Sequence, residues 1–151
     1  MPRALVAIDQ IDRDRDILER ARTFAIGAGT PLVVVALATP DEYEEVERTL
    51  DAIGQVEHTN YDEDAVLEGV SGEVEDAANQ VLGSAVDHEL RTVVAEAGEQ
   101  AAAIVDIANQ TGCDHVFLSG PRRSPTKKAL FGDRTQRVIL DFEGYVTVAM
   151  S

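Results

Sequence analysis

The 151-residue chain has the length of one domain, residues 1–151, and with 44% apolar and 27% charged residues it is globular by composition, which excludes a disordered tail, a fibre or a multidomain machine. Its 28 acidic residues against 13 Lys and Arg give a formal charge of −15, and its only lysines are Lys127 and Lys128, which argues against broad nucleic-acid binding because phosphates need an excess of cations. No run approaches the roughly 20 apolar residues of a membrane helix, and the N-terminus enters a strand pattern at once, so a cytoplasmic protein without a signal peptide or membrane contact is expected.

In chain order, Ala4–Ile8 is the first apolar run with strand character, and it ends at Asp9. The carboxylate-rich segment that follows, with Asp9, Asp12, Asp14 and Asp16, repels phosphate but can accept hydrogen bonds from ribose hydroxyls or an adenine amino group. The plainer reading of Asp9 is a turn or helix-cap residue. Ile17, Leu18, Ala21, Phe24 and Ala25 recur at helical spacing, and Gly27-Ala28-Gly29-Thr30-Pro31 ends that helix. Leu32–Ala38 is the second strand. A helix over Asp41–Ile53, a polar loop at Gln55–Asp64 carrying His58 and Tyr61, and a second helix ending near Val86 fill the next gap. That loop reads first as solvated.

A weaker strand at Leu90–Ala97 precedes a helix marked by Ala102, Ile104, Val105, Ile107 and Ala108, which Thr111-Gly112 closes. Cys113, the single cysteine, opens a buried strand centred on Val116–Leu118 and is assigned to packing. His58, His88 and His115 have no metal-ligand spacing among themselves or with Cys113. The last strand is Tyr145–Met150.

Strands apolar along their length, alternating with helices, predict an α/β fold: an open five-stranded parallel sheet with helices on both faces. Ligands in such sheets sit beyond the carboxyl ends of the strands. Past Ser119 the chain turns basic. Residues 121–151 carry Arg122, Arg123, Lys127, Lys128, Arg134 and Arg137 against three acids, a net of +3, while residues 1–120 carry a net of −18. A basic, glycine-containing loop leading into a helix suits an anion, and a solvated loop paired with the acidic surface is the alternative. No Gly-Lys-Ser/Thr sequence occurs, and Gly27-Ala28-Gly29 precedes a strand, the reverse of a dinucleotide-binding turn.

The strand-end Asp9, together with the loop from Gly120 to Gly132, resembles the universal stress protein family over nearly the whole chain. That resemblance implies the adenine nucleotide alpha hydrolase-like fold of that family and an adenine nucleotide, ATP or a relative, held between the ends of the first, second and fourth strands. Residue by residue it implies that Ala7, Ile8 and Asp9 meet the ribose side. Leu37 falls at the adenine, and Ser119, Gly120, Arg122, Arg123, Gly132, Asp133, Arg134 and Thr135 fall at the phosphates. The phosphate segment departs from the family pattern of Gly-x-x-Gly, nine residues and Gly-Ser/Thr. Arg123 replaces the second glycine, the spacing is one residue short, and Asp133 replaces the hydroxyl residue.

An ionised Asp133 accepts hydrogen bonds where a hydroxyl would donate one, and it sets a like charge beside phosphate. Nearby cations or a bridging Mg²⁺ can offset it. Alternatively Asp133 caps the helix and closes the site, which makes the protein a scaffold that binds no nucleotide. No nucleophile–base pair is evident, so a binding module is expected, with at most slow ATP hydrolysis. The resemblance also implies a homodimer through the C-terminal strand. The acidic, lysine-poor composition leads to the expectation of a halophilic protein, in which high salt screens self-repulsion, with an ordinary acidic protein as the alternative.

Overall fold

The computed structural model describes residues 2–57, 61–120 and 132–150. The most continuously apolar run, Leu32–Ala38, becomes a fully buried inner strand, and the charge-bearing His88–Val94 becomes an edge. β1 (Arg3–Ile8), β2 (Leu32–Ala38), β3 (His88–Val94), β4 (Cys113–Ser119) and β5 (Tyr145–Ala149) form one parallel sheet in the order β3-β2-β1-β4-β5. Every residue of β2 is buried, whereas β3 and β5 at the two edges contain no fully buried residue.

The period of two along a strand divides the core. Ala4, Val6, Ile8, Leu32, Val34 and Ala36 face α1 (Ile11–Ala28) and α3 (Glu63–Leu82), with Leu18, Ala21, Ala78 and Leu82 packed on them. Leu5, Ala7, Val33, Val35 and Leu37 face the other way, toward α4 (Gln100–Gln110) and α5 (Gly132–Asp141), where Ile104, Ala108, Val138 and Phe142 cover them. Helices therefore lie on both faces, as the alternation of strands and helices predicts.

α2 (Pro40–Glu57) is longer than the expected Asp41–Ile53 and runs into the segment expected as a loop. Its start is set by a reciprocal cap: the Glu42 N–H donates to Thr39 Oγ1 at 3.2 Å, and the Thr39 N–H donates to Glu42 Oε1 at 3.2 Å, with Pro40 in the first turn. α2 packs on α3 and buries only Gly54 in full. A Cβ on Gly69 would stand 2.7 Å from Val46 Cγ1, so the missing side chain lets these two helices approach. The Asp62 side chain caps α3 by accepting from the Ala65 N–H at 2.9 Å, and α3 ends at Leu82, short of the expected Val86. Tyr61 donates its hydroxyl to Glu57 at 2.9 Å, while His58 lies outside the described residues.

β3 is displaced from the expected Leu90–Ala97, because Ala97–Glu99 fold into a 3-10 turn ahead of α4. Cys113 is buried at the start of β4, where burial pushes its thiol pKa up and disfavours the reactive thiolate. Packing is thus its role.

His115, on the α1 face of β4, stacks on Phe117 with centroids 4.3 Å apart and lies tilted against Phe24 at 4.7 Å. Its Nε2 meets Thr147 Oγ1 at 2.8 Å, which ties β4 to β5. Burial lowers the His115 pKa, and the opposing pull of the Asp114 carboxylate is the smaller effect. A depressed histidine pKa means that the unfolded chain takes up the proton first. The neutral ring's contribution is therefore complete above the unfolded value of about 6.5 and is lost as pH falls below it. Urea midpoints at pH 7.5 and 5.5 are expected to fall further for the wild type than for His115→Phe; equal falls would mean that His115 carries none of the acid sensitivity.

Candidate functional site

Because the strands are parallel, the carboxyl ends of β1, β2 and β4 open on one rim of the sheet, with the first turns of α1 and α5 above them. Asp9, one residue past β1, follows the alternation onto the face covered by α4 and α5. There Arg134 in the first turn of α5 donates through Nη1 to Asp9 Oδ2 at 3.2 Å. The same Nη1 donates to Gln100 Oε1 at 2.8 Å. Gln100 is 3% exposed, and its Nε2 donates to the carbonyls of Ala95 at 3.1 Å and Ala38 at 3.4 Å. One amide thus gathers the ends of β2 and β3 and presents an oxygen to the arginine.

The loop leaving β1 is organised from within. Asp14, 1% exposed, accepts from the Asp9 N–H at 2.8 Å and the Gln10 N–H at 3.2 Å through Oδ2, and from Arg13 Nε at 3.1 Å through Oδ1. Gln10, at the helix cap, contributes no side-chain hydrogen bond; Asp14 instead reaches back from the first turn to the N–H groups of the cap residue and of the residue before it. A phosphate at the start of α1 would have to displace that carboxylate.

Two cavities flank this arrangement. One, of about 300 Å³, has an apolar floor of Ala36, Leu37 and Ala38, a wall of Val70 and Val74 from α3, and a rim of carboxylates that includes Asp9 and Glu42. The other, of about 360 Å³, lies against α5 and is lined by Asp133, Arg134, Gln136 and Arg137 together with Ala97 and Ala101. Carboxylates over an apolar floor suit a flat, neutral, hydrogen-bond-donating group, whereas the arginines of α5 suit an anion.

The structure brings some of the expected site residues together and separates others. Asp9 and Leu37 line one cavity together, Arg134 joins them through Asp9, and the buried Ala7 and Ile8 hold the strand end beneath. Thr135 is 3% exposed and its hydroxyl donates to the Ser119 carbonyl at a long 3.5 Å, so it faces β4. Gly120 has a packing reason of its own. Its N–H donates to Ala149 O at 2.7 Å, and a Cβ would lie 3.2 Å from that oxygen. Asp133 is exposed in the first turn of α5 beside the basic cavity, and Gly132 begins that helix. Arg122 and Arg123 lie outside the described residues, as do Lys127 and Lys128.

Gln100 and Asp14 were not singled out from the sequence. The one local signal for Gln100 is a polar residue ahead of an apolar first turn, Gln100-Ala101-Ala102-Ala103-Ile104. Among the described residues no group of three His, Cys, Asp or Glu side chains could hold a metal ion, and no helix is long and apolar enough to cross a membrane.

A profile of the universal stress protein family matches residues 1–149. Among solved structures, a universal stress protein from Archaeoglobus fulgidus aligns with a TM-score of 0.66 at 22% identity, covering 98% of each chain. A universal stress protein from Archaeoglobus fulgidus in complex with dAMP aligns at 0.62 and 17% identity, covering 98% of this chain and 97% of that one. A universal stress protein in complex with cAMP aligns at 0.66 and 18% identity, over 99% and 98%. No match is found among curated proteins.

Proposed function

The chain belongs to the universal stress protein family, and from that premise we propose that it binds an adenine nucleotide, with ATP as the first candidate, at the rim formed by β1, β2 and β4. The observation that carries the reading is the division of charge at the rim: a carboxylate-rich cavity with Ala36, Leu37 and Ala38 in its lining is joined through the Asp9–Arg134 pair to the arginines of α5. Adenine fits the floor of Ala36, Leu37 and Ala38, ribose hydroxyls donate to Asp9, and the phosphates turn toward Arg134 and the start of α5. The dAMP and cAMP complexes of similar folds support the ligand class. Mg²⁺, if it accompanies ATP, would supply charge neutralisation beside Asp133. The reading is of a binding module in the cytoplasm, with hydrolysis as a slow side reaction.

Saturable ATP binding in titration calorimetry at high KCl, the condition the acidic surface suits, is the expected result. Replacing Asp133 by serine removes a like charge from the phosphate end and is expected to tighten binding about threefold. Absence of saturation with and without Mg²⁺ would overturn the reading. A second reading then takes its place, a closed site in an interaction or scaffold protein, favoured by the fact that Asp9 is already paired with Arg134.

A homodimer through β5 is part of the same proposal. β5 ends the sheet and has no charged residue in Tyr145–Ala149, while Tyr145 on it and Met150 just past it are exposed. The opposite edge, β3, carries Glu89 and Arg91, with Glu89 paired to Arg3 at 2.8 Å. Charge of that kind discourages edge pairing, so β5 is the edge left to be covered by a second copy.

A further inference from the structure

We infer that Arg134 is a phosphate-operated clasp on the site: paired with Asp9 it holds that carboxylate closed, and a ligand's phosphate draws it away and frees Asp9 for the ribose. This inference rests on the nucleotide reading above and names how that site discriminates among adenine compounds.

Arg134 stands where the two ends of the site meet. It lines the basic cavity beside α5, while Asp9, its partner, lines the carboxylate-edged cavity. The pair is only partly shielded, with Arg134 22% and Asp9 29% exposed, so a ligand can reach both. Gln100 gives the clasp a defined closed position. Its amide is anchored on the carbonyls of Ala95 and Ala38, and its oxygen accepts from the same Arg134 Nη1 that meets Asp9. Gln100 is therefore a positioning residue that acts through Arg134.

The exchange balances charge only for some ligands. A nucleoside that takes Asp9 must break an ion pair and leave the guanidinium without a carboxylate. A nucleotide offers the guanidinium a phosphate in return, with forked donor geometry that matches its oxygens. Binding of ribose and binding of phosphate are thus coupled through one side chain, and the coupling favours phosphorylated adenosine over adenosine.

The test is a four-way calorimetric titration of wild type and Arg134→Gln with adenosine and with ATP, with thermal melts run on both proteins. Wild type is expected to prefer ATP. In Arg134→Gln, adenosine is expected to bind about tenfold tighter and ATP about tenfold weaker, the scale of one charge-assisted hydrogen bond. Arg134→Lys keeps the charge without the fork and is expected to retain the wild-type preference in weaker form, which covers the case in which Arg134→Gln does not fold. If ATP binds the wild type but the substitution moves both ligands equally or neither, the clasp is overturned and the nucleotide site stands. If neither ligand binds either protein, both readings fall. If only adenosine binds, and only to Arg134→Gln, the arginine is a permanent lock, and opening by phosphate is overturned.

Discussion

Gly144→Ala is expected to cost about 3 kcal/mol of folding stability, seen as a large drop in the urea midpoint, because two costs fall on one residue. Gly144 sits at φ +153°, a backbone conformation that side-chain-bearing residues rarely adopt. A Cβ there would lie 2.6 Å from the Asp114 carbonyl oxygen and 2.7 Å from Phe142 Cε2. Neither neighbour yields readily, since Asp114 is in β4 and Phe142 is 6% exposed in the core beneath α5. The turn must then open, and it opens just before Tyr145, where β5 begins. The damage reaches the site as well, because the far end of β5 accepts the Gly120 N–H at 2.7 Å. Gly72→Ala supplies the contrast. Gly72 lies inside α3, where a Cβ would meet nothing within 4 Å, and alanine is expected to add about 0.5–1 kcal/mol through its helix propensity. A Gly144→Ala midpoint equal to the wild type would show that the turn relaxes at no cost.

Strand positions were legible wherever burial on both faces forces a continuous apolar run, and β2 matches its expected limits at Leu32 and Ala38. β3 was harder to place, because an edge strand is covered less and admits charge; His88, Glu89 and Arg91 interrupt the pattern on which the expectation rested. α2 outran its expected end because it packs on α3 instead of the sheet, so no sheet-facing apolar stripe marks its limits. Asp9 and Leu37 could be brought to one rim from sequence, since a strand-end residue keeps that place in any parallel sheet. The partner of Asp9 could not. Arg134 is 125 residues away, and Asp133, its neighbour, looked like the natural occupant of the phosphate end. Gln100 was hidden for a related reason: its three contacts join the ends of β2 and β3 to α5, and only the assembled fold brings those together.

Asp14 carries the other large expectation. In sequence it is one of four carboxylates spread over eight residues, and nothing local says which of them is buried. In the fold, Oδ2 of Asp14 accepts two backbone N–H groups and Oδ1 compensates Arg13. Asp14→Ala strands those donors at a helix start whose cap residue offers no side-chain bond, and leaves a partly covered guanidinium without its carboxylate. A loss of about 3 kcal/mol is expected, against about 1–2 kcal/mol for Asp14→Asn, which keeps one oxygen as an acceptor. The same N–H that Asp14 holds belongs to Asp9, so loosening it spreads the Asp9 carboxylate over more positions and weakens any ligand that needs it in one. Parallel melts and ATP titrations of the two variants separate these effects. Equal stability of Asp14→Ala and Asp14→Asn would mean that water satisfies the freed donors and that the carboxylate does not organise the loop. Weakened ATP binding by Asp14→Asn at near wild-type stability would locate its role in holding Asp9, because a purely structural residue would move both readouts together.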